Sequence, residues 1–182
     1  MIYPIVIYGN PVLRAKAEPI TPQYPELPTL LSDMFKTLTK SGGVGLAAPQ
    51  IGLSIQLFIL DLSVMAEDDP SYATFKKVFI NPEIVAYSDD TETAEEGCLS
   101  VPGLSERVKR SLSVTIKYCD ENWQEHTETY TGFPARAIQH EYDHLLGTVY
   151  VDKISPIRRQ LIGAKLNAIS KGKVSCHYKV KR

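Results

Sequence analysis

Apolar residues fall at Leu27, Leu30, Leu31, Met34, Phe35 and Leu38, the i, i+3, i+4, i+7 spacing of one helix face. The pattern predicts an amphipathic helix over residues 26–40, with Pro28 in its first turn and Ser41-Gly42-Gly43 ending it. Residues 55–61 (IQLFILD) form a short apolar run suited to a buried strand, and the polar stretch 62–74 reads as a surface excursion. Residues 77–87 look extended, with an interruption at Asn81-Pro82. From 113 to 119, Val114, Ile116 and Tyr118 alternate onto one face, Asp120-Glu121-Asn122 turns the chain, and 124–131 returns as the hairpin partner.

A second helix is expected over 134–146, opened by Pro134 and stopped by Gly147. Its apolar residues Ala137, Ile138, Tyr142 and Leu145 spread around the circumference, so it should be buried on several sides. A third helix is expected over 156–170, with Ile157, Leu161, Ile162 and Leu166 in register. Residues 173–181 alternate and read as a terminal strand or a frayed tail. Together these elements predict an α+β fold: short antiparallel sheets packed around one central helix, with an N-terminal and a C-terminal helix beside them.

The length of 182 residues, with no repeat or linker, points to one domain over 1–182. No stretch approaches the ~20 apolar residues of a membrane helix. The first ten residues have neither the basic start of a secretory signal nor the Arg- and Ser-rich character of an organelle presequence. Cys98, Cys119 and Cys176 have no framework spacing, so a reducing cytoplasm is the expected location. A net charge of −1 hides an asymmetry: nine of the 20 basic residues lie in 153–182, and all 21 acidic ones precede it. That region is either a solvated basic tail or a polyanion-binding one.

The second helix carries His140-Glu141-Tyr142-Asp143-His144. Four residues make about one helical turn, so both imidazoles leave one face and can reach a single ion, while Glu141 can reach water there as a general base. Two unrelated surface histidines would be the plain alternative, but the helix reads as buried. A catalytic site of this kind needs a third ligand. Downstream of His144 there is only His177 and no glutamate; upstream, Cys98 sits in Glu96-Gly97-Cys98-Leu99-Ser100. A thiolate and two neutral imidazoles would leave a divalent ion a net charge of +1, enough to acidify water. A third segment, Gly43-Val44-Gly45-Leu46-Ala47-Ala48-Pro49-Gln50, presents little side-chain bulk. By itself it could be an ordinary glycine loop. It could also offer an edge to an extended peptide, with the Gln50 amide as an oxyanion donor.

Taken together, G-x-G-x-A-A-x-Q at 43–50, E-G-C-x-S at 96–100 and H-E-x-x-H at 140–144 resemble the peptide deformylase family at every fixed position. Further matches lie at Tyr8-Gly9-Asn10-Pro11-Val12-Leu13-Arg14, Ile80-Asn81-Pro82-Glu83 and Gln139, so the resemblance covers most of the chain. It implies a hydrolase that removes the N-formyl group from the formyl-methionine of nascent polypeptides. Cys98, His140 and His144 would be the metal ligands, with water in the fourth place, and Glu141 the general acid and base. Gln50 and the Leu99 N–H would form the oxyanion hole, Gly45 would bond the substrate main chain, and Val44, Gly97, Phe133 and Ala137 would line the substrate site beside His140.

Glu96 would pair with Arg110 behind the pocket. The resemblance points to one divalent ion, Fe(II), although Zn, Ni and Co suit the same ligands. It also raises a ribosome contact through the basic C-terminal region; no membrane and no sequence-specific nucleic acid is expected as partner. The departures are peripheral: the 62–74 excursion is long, 103–110 is a variable segment in the family, and the tail after Ser170 differs from members that end in a plain helix. Cys119, His126 and Cys176 read as structural. The rivals are an H-E-x-x-H endopeptidase and a metal-binding module without catalysis.

Overall fold

A computed structural model describes residues 1–182. Its elements run β1 (Ile5–Val6), α1 (Leu27–Ser41), β2 (Gly45–Ala47), β3 (Leu57–Asp61), β4 (Lys76–Tyr87), β5 (Thr91–Gly97), β6 (Ser105–Ser111), β7 (Ser113–Cys119), β8 (Glu125–Thr131), α2 (Gly132–Leu145), α3 (Pro156–Leu161), α4 (Gly163–Ser170) and β9 (Val180–Lys181). Five strands form an antiparallel sheet in the order β2-β3-β4-β7-β8, β5 and β6 form a separate hairpin, and β1 pairs with β9 in parallel. The α+β expectation holds.

The sheet is covered on both faces by helices. Side chains alternate along a strand, and β3 uses both sides: Leu57 and Ile59 pack with Leu46 and Val78 against α1, whereas Phe58 and Leu60 pack with Phe79 and Ile116 against α2. Double burial is why this strand reads as an unbroken apolar run. In β4 the ladder shifts register between Ile80 and Glu83, where Asn81 has φ +48°. Asn81 Nδ2 donates to the Ile20 carbonyl at 2.7 Å, and its Oδ1 accepts from the Ile20 N–H at 2.9 Å. The Asn81-Pro82 interruption is therefore a bulge that ties the N-terminal segment to the sheet.

Two expectations need amendment, and one open alternative is resolved. The β5–β6 hairpin has no counterpart among the predicted elements, because its buried positions include Glu96, Glu106 and Arg110, which hide the alternation of a strand behind charge. The single helix over 156–170 is two. Ile162, at φ −91° and ψ 0°, leaves helical geometry just before Gly163, so α3 and α4 aim different faces inward. Ile157 and Leu161 consequently stand exposed, while Ile162, Leu166 and Ile169 are buried with Val101, Val108 and Tyr150 under the hairpin. The C-terminal stretch ends as β9, a strand rather than a frayed tail.

Candidate active site

Helix α2 crosses the back of the sheet, and ten of its 14 residues are buried. Gly147 stops it in the left-handed region, at φ +75°, and a side chain there would meet the Arg14 carbonyl oxygen at 2.5 Å. The N-terminal segment closes on this end of the helix: Asn10 caps the turn 11–14, the Ala17 N–H donates to Leu145 O, and Arg14 pairs with Asp152. The helix that holds both histidines is thus fixed at its C-terminus by residues far away in sequence.

Cys98 lies just beyond β5, and the hairpin carries it against α2. One ligand atom each from Cys98, His140 and His144 lie within 4.8 Å of one another. Cys98 Sγ is 3.3 Å from His144 Nε2. Sulfur and nitrogen bound tetrahedrally to one ion, at about 2.3 and 2.0–2.1 Å, would stand roughly 3.5 Å apart. His140 Nδ1–H donates to Glu96 Oε2 at 2.9 Å, which leaves the lone pair of Nε2 for a metal ion. Burial pushes His144 well below the usual histidine range, which favours the neutral ring that a ligand must present. The three residues fit a divalent ion.

Behind the ligands is a buried ion cluster. Arg110 donates to Glu96 through Nε (2.6 Å) and Nη2 (3.0 Å), and to Asp143 Oδ2 through Nη1 at 2.7 Å. Arg136 adds a bond to Glu96 Oε1 at 2.8 Å. Burial raises the Glu96 carboxyl, but the hydrogen bonds from His140 and Arg110 outweigh it and hold the group at about 2. Glu96 is therefore ionised, and it fixes the ring orientation of His140. The expected Glu96–Arg110 pair is present.

In front of the ligands is a cleft of about 430 Å³. Val44, Gly45, Gln50 and Gly97 line it together with Cys98 and Leu99, and α2 contributes Phe133, Ala137, His140 and Glu141. Gln50 Oε1 accepts from the Ala47 N–H at 2.8 Å, which turns Nε2 toward Cys98 Sγ, 3.4 Å away. The Leu99 N–H donates to no protein acceptor. Glu141 is buried, one carboxylate oxygen lacks any partner, and burial pushes its carboxyl up to about 7. A group with that affinity for protons is suited to accept and return one near neutrality.

Gly45 is where this packing is tightest. A Cβ there would fall inside contact distance of the Glu141 carboxylate and 2.8 Å from Leu60 Cδ2. Gly45→Ala is expected to cost about 1–3 kcal/mol through overpacking. Urea unfolding checks this, and an unchanged midpoint would mean that Glu141 does not lie against β2. Gly97 differs: a Cβ would meet nothing closer than 3.6 Å, so its small size leaves room in the cleft rather than in the protein.

A polypeptide deformylase family model matches residues 2–160. The chain belongs to the polypeptide deformylase family. It is similar to a peptide deformylase of Christiangramia forsetii, 45% identical with 100% of this chain and 96% of the relative covered, and to one of Cytophaga hutchinsonii at 44%, covering 100% and 97%. Among solved structures, the peptide deformylase of Thermus thermophilus superposes with a TM-score of 0.84 at 36% identity, over 94% of this chain and 99% of that one. The enzyme from Legionella pneumophila gives a TM-score of 0.82 at 37% identity, covering 95% and 98%. Members of this family are hydrolases.

The sequence reading of this deformylase-family chain missed Arg136, Asp143 and Tyr178. Arg136 and Asp143 flank His140 on α2 by four and three residues, so their shared helix face was a usable signal. For Tyr178, whose ring reaches the cleft from the C-terminal tail, no local pattern exists. No helix is long and apolar enough to cross a membrane.

Proposed function

We propose that this chain is one catalytic domain that hydrolyses the N-formyl group from the formyl-methionine of nascent polypeptides, using a divalent ion held by Cys98, His140 and His144. The observation that carries the reading is the convergence of these three ligand atoms beside an unpartnered, buried Glu141 carboxylate oxygen. The ion supplies Lewis acidity, lowering the pKa of water at the site and polarising the formyl group. Glu141 accepts the proton of the attacking water and later delivers it to the amine nitrogen as the C–N bond breaks, so that one water yields formate and a free amine. Gln50 Nε2 and the Leu99 N–H donate to the formyl oxygen as negative charge develops on it.

Substrate is held by the sheet edge. β2 has a neighbour on one side only, so an extended peptide can add beside Gly45, with the methionine side chain toward Val44, Phe133 and Ala137. Formate release from a formyl-Met peptide, with none of the same peptide cut internally, is the expected result. Equal internal cleavage of formylated and unformylated peptides would favour the endopeptidase reading; no formate from the Fe, Co or Zn forms, tested anaerobically, would favour a non-catalytic metal module. Fe(II) is the proposed native ion, and cytoplasm the proposed location.

A ribosome contact is proposed for the C-terminal face. Arg158, Arg159 and Lys153 are already paired with Glu106, Asp152 and Asp143; of the six basic residues left, Lys165, Lys171 and Lys173, on and just after α4, are the proposed contact, apart from Lys179, Lys181 and Arg182 at the β1–β9 end of the tail. Truncation after Tyr150 would expose the core around Ile162 and Leu166, so the test is charge reversal at these three lysines. Lost ribosome co-sedimentation is expected, and unchanged co-sedimentation contradicts the contact.

A further inference from the structure

The C-terminal tail reaches the cleft. Main-chain bonds from the Ile5 N–H to Lys179 O (2.8 Å) and from the Ile7 N–H to Lys181 O (2.9 Å) hold it beside β1. Alternation along this stretch turns Cys176, Tyr178 and Val180 inward and leaves Ser175, His177 and Lys179 exposed. Tyr178 thereby joins the cleft lining, next to Gly42, Gly43 and Leu99. Its hydroxyl donates to the Leu99 carbonyl at 2.9 Å, across 79 residues of sequence.

The turn that it grips contains the proposed oxyanion donor. Each carbonyl from Cys98 to Ser100 is engaged: Cys98 O by the Val101 N–H at 2.9 Å, Leu99 O by Tyr178, and Ser100 O by the Tyr8 N–H at 2.8 Å. The first bond fixes the peptide plane that carries the Leu99 N–H, and the second fixes the next plane. Leu99 Cα sits between two pinned peptides, so its N–H has one direction. Leu99 O is the only one of the three held by a side chain, and so the only one that a point substitution can release. Burial raises the Tyr178 phenol above its usual range, so it remains a donor at every relevant pH. The family model's match ends at residue 160, so this contact comes from a segment outside it.

We propose that Tyr178 is a positioning residue: its hydroxyl fixes the Leu99 peptide so that the Leu99 N–H is aimed at the formyl oxygen, and its ring walls the cleft beside the bound peptide. The chemical half of this inference rests on the proposed deformylase reaction; the structural half does not. An aimed donor acts most strongly on the charged transition state, so losing the hydroxyl should lower kcat and spare KM. Losing the ring removes contact area from substrate and transition state alike, so it should also raise KM.

The test compares metal-loaded wild type, Tyr178→Phe and Tyr178→Leu in two measurements. Steady-state formate release is expected to show kcat down roughly 5–30-fold with KM unchanged in Tyr178→Phe, the loss of about 1–2 kcal/mol of aim from one donor, and KM raised several-fold as well in Tyr178→Leu. Hydrogen exchange is expected to speed at the Val101 amide in Tyr178→Phe, with exchange in α2 and β3 unchanged. Wild-type kcat and wild-type Val101 exchange in Tyr178→Phe would overturn the proposal, as would a kcat loss accompanied by faster exchange throughout the core, which marks a merely structural role. Faster Val101 exchange in a chain whose wild type releases no formate would uphold the positioning and overturn the proposed reaction instead.

Discussion

Glu141→Gln is expected to keep its metal ion and to release formate at least ~10³-fold more slowly than wild type. General acid–base catalysis contributes on the order of 10²–10⁴-fold, and Glu141 is proposed to act twice, once on water and once on the amine. Glutamine keeps the volume that packs against β2, so the fold and the three ligand atoms should be undisturbed. Removing a buried carboxyl that lacks a partner on one oxygen should not destabilise the protein. Metal content, unfolding midpoint and formate release measured on one preparation separate these effects. Turnover close to wild type would remove Glu141 from the reaction.

Cys98→Ala is expected to lose most of its metal and at least ~100-fold of its activity, since even the outer partners of a metal ligand are worth 10–100-fold. The fold should survive, because the hairpin is held to α2 by Glu96, Arg110, Arg136 and Asp143. Cys119→Ser supplies the contrast. Cys119 is at the end of β7, opposite Ile80 and Glu125, and should bind metal and turn over as wild type does. Equal behaviour of the two variants would mean that the sulfur of residue 98 is not a ligand.

The parts of this molecule that could be read from its sequence are those in which local spacing and burial agree. α1 shows one apolar face because only one face is covered. β3 shows none because both are. The H-E-x-x-H turn is legible because a helix alone sets the distance between His140 and His144. What lay beyond reading depends on contacts between distant segments. The β5–β6 strands bury Glu96, Glu106 and Arg110, and these charges are tolerable only because Arg110 meets Glu96 and Asp143, Arg136 meets Glu96, and Arg158 meets Glu106. Nothing in the pattern of residues 91–111 announces those partners. The same holds for the C-terminal helices, whose apolar spacing is continuous through Ile162 although only the second half faces the core. It holds again for Tyr178, whose partner is the carbonyl of Leu99.

Zinc K-edge absorption of the zinc-loaded chain tests the proposed site most directly, because it counts the atoms around the ion whatever the activity. The expected spectrum has one sulfur at about 2.3 Å and nitrogen or oxygen neighbours at about 2.0–2.2 Å. A shell of nitrogen and oxygen without sulfur would contradict it.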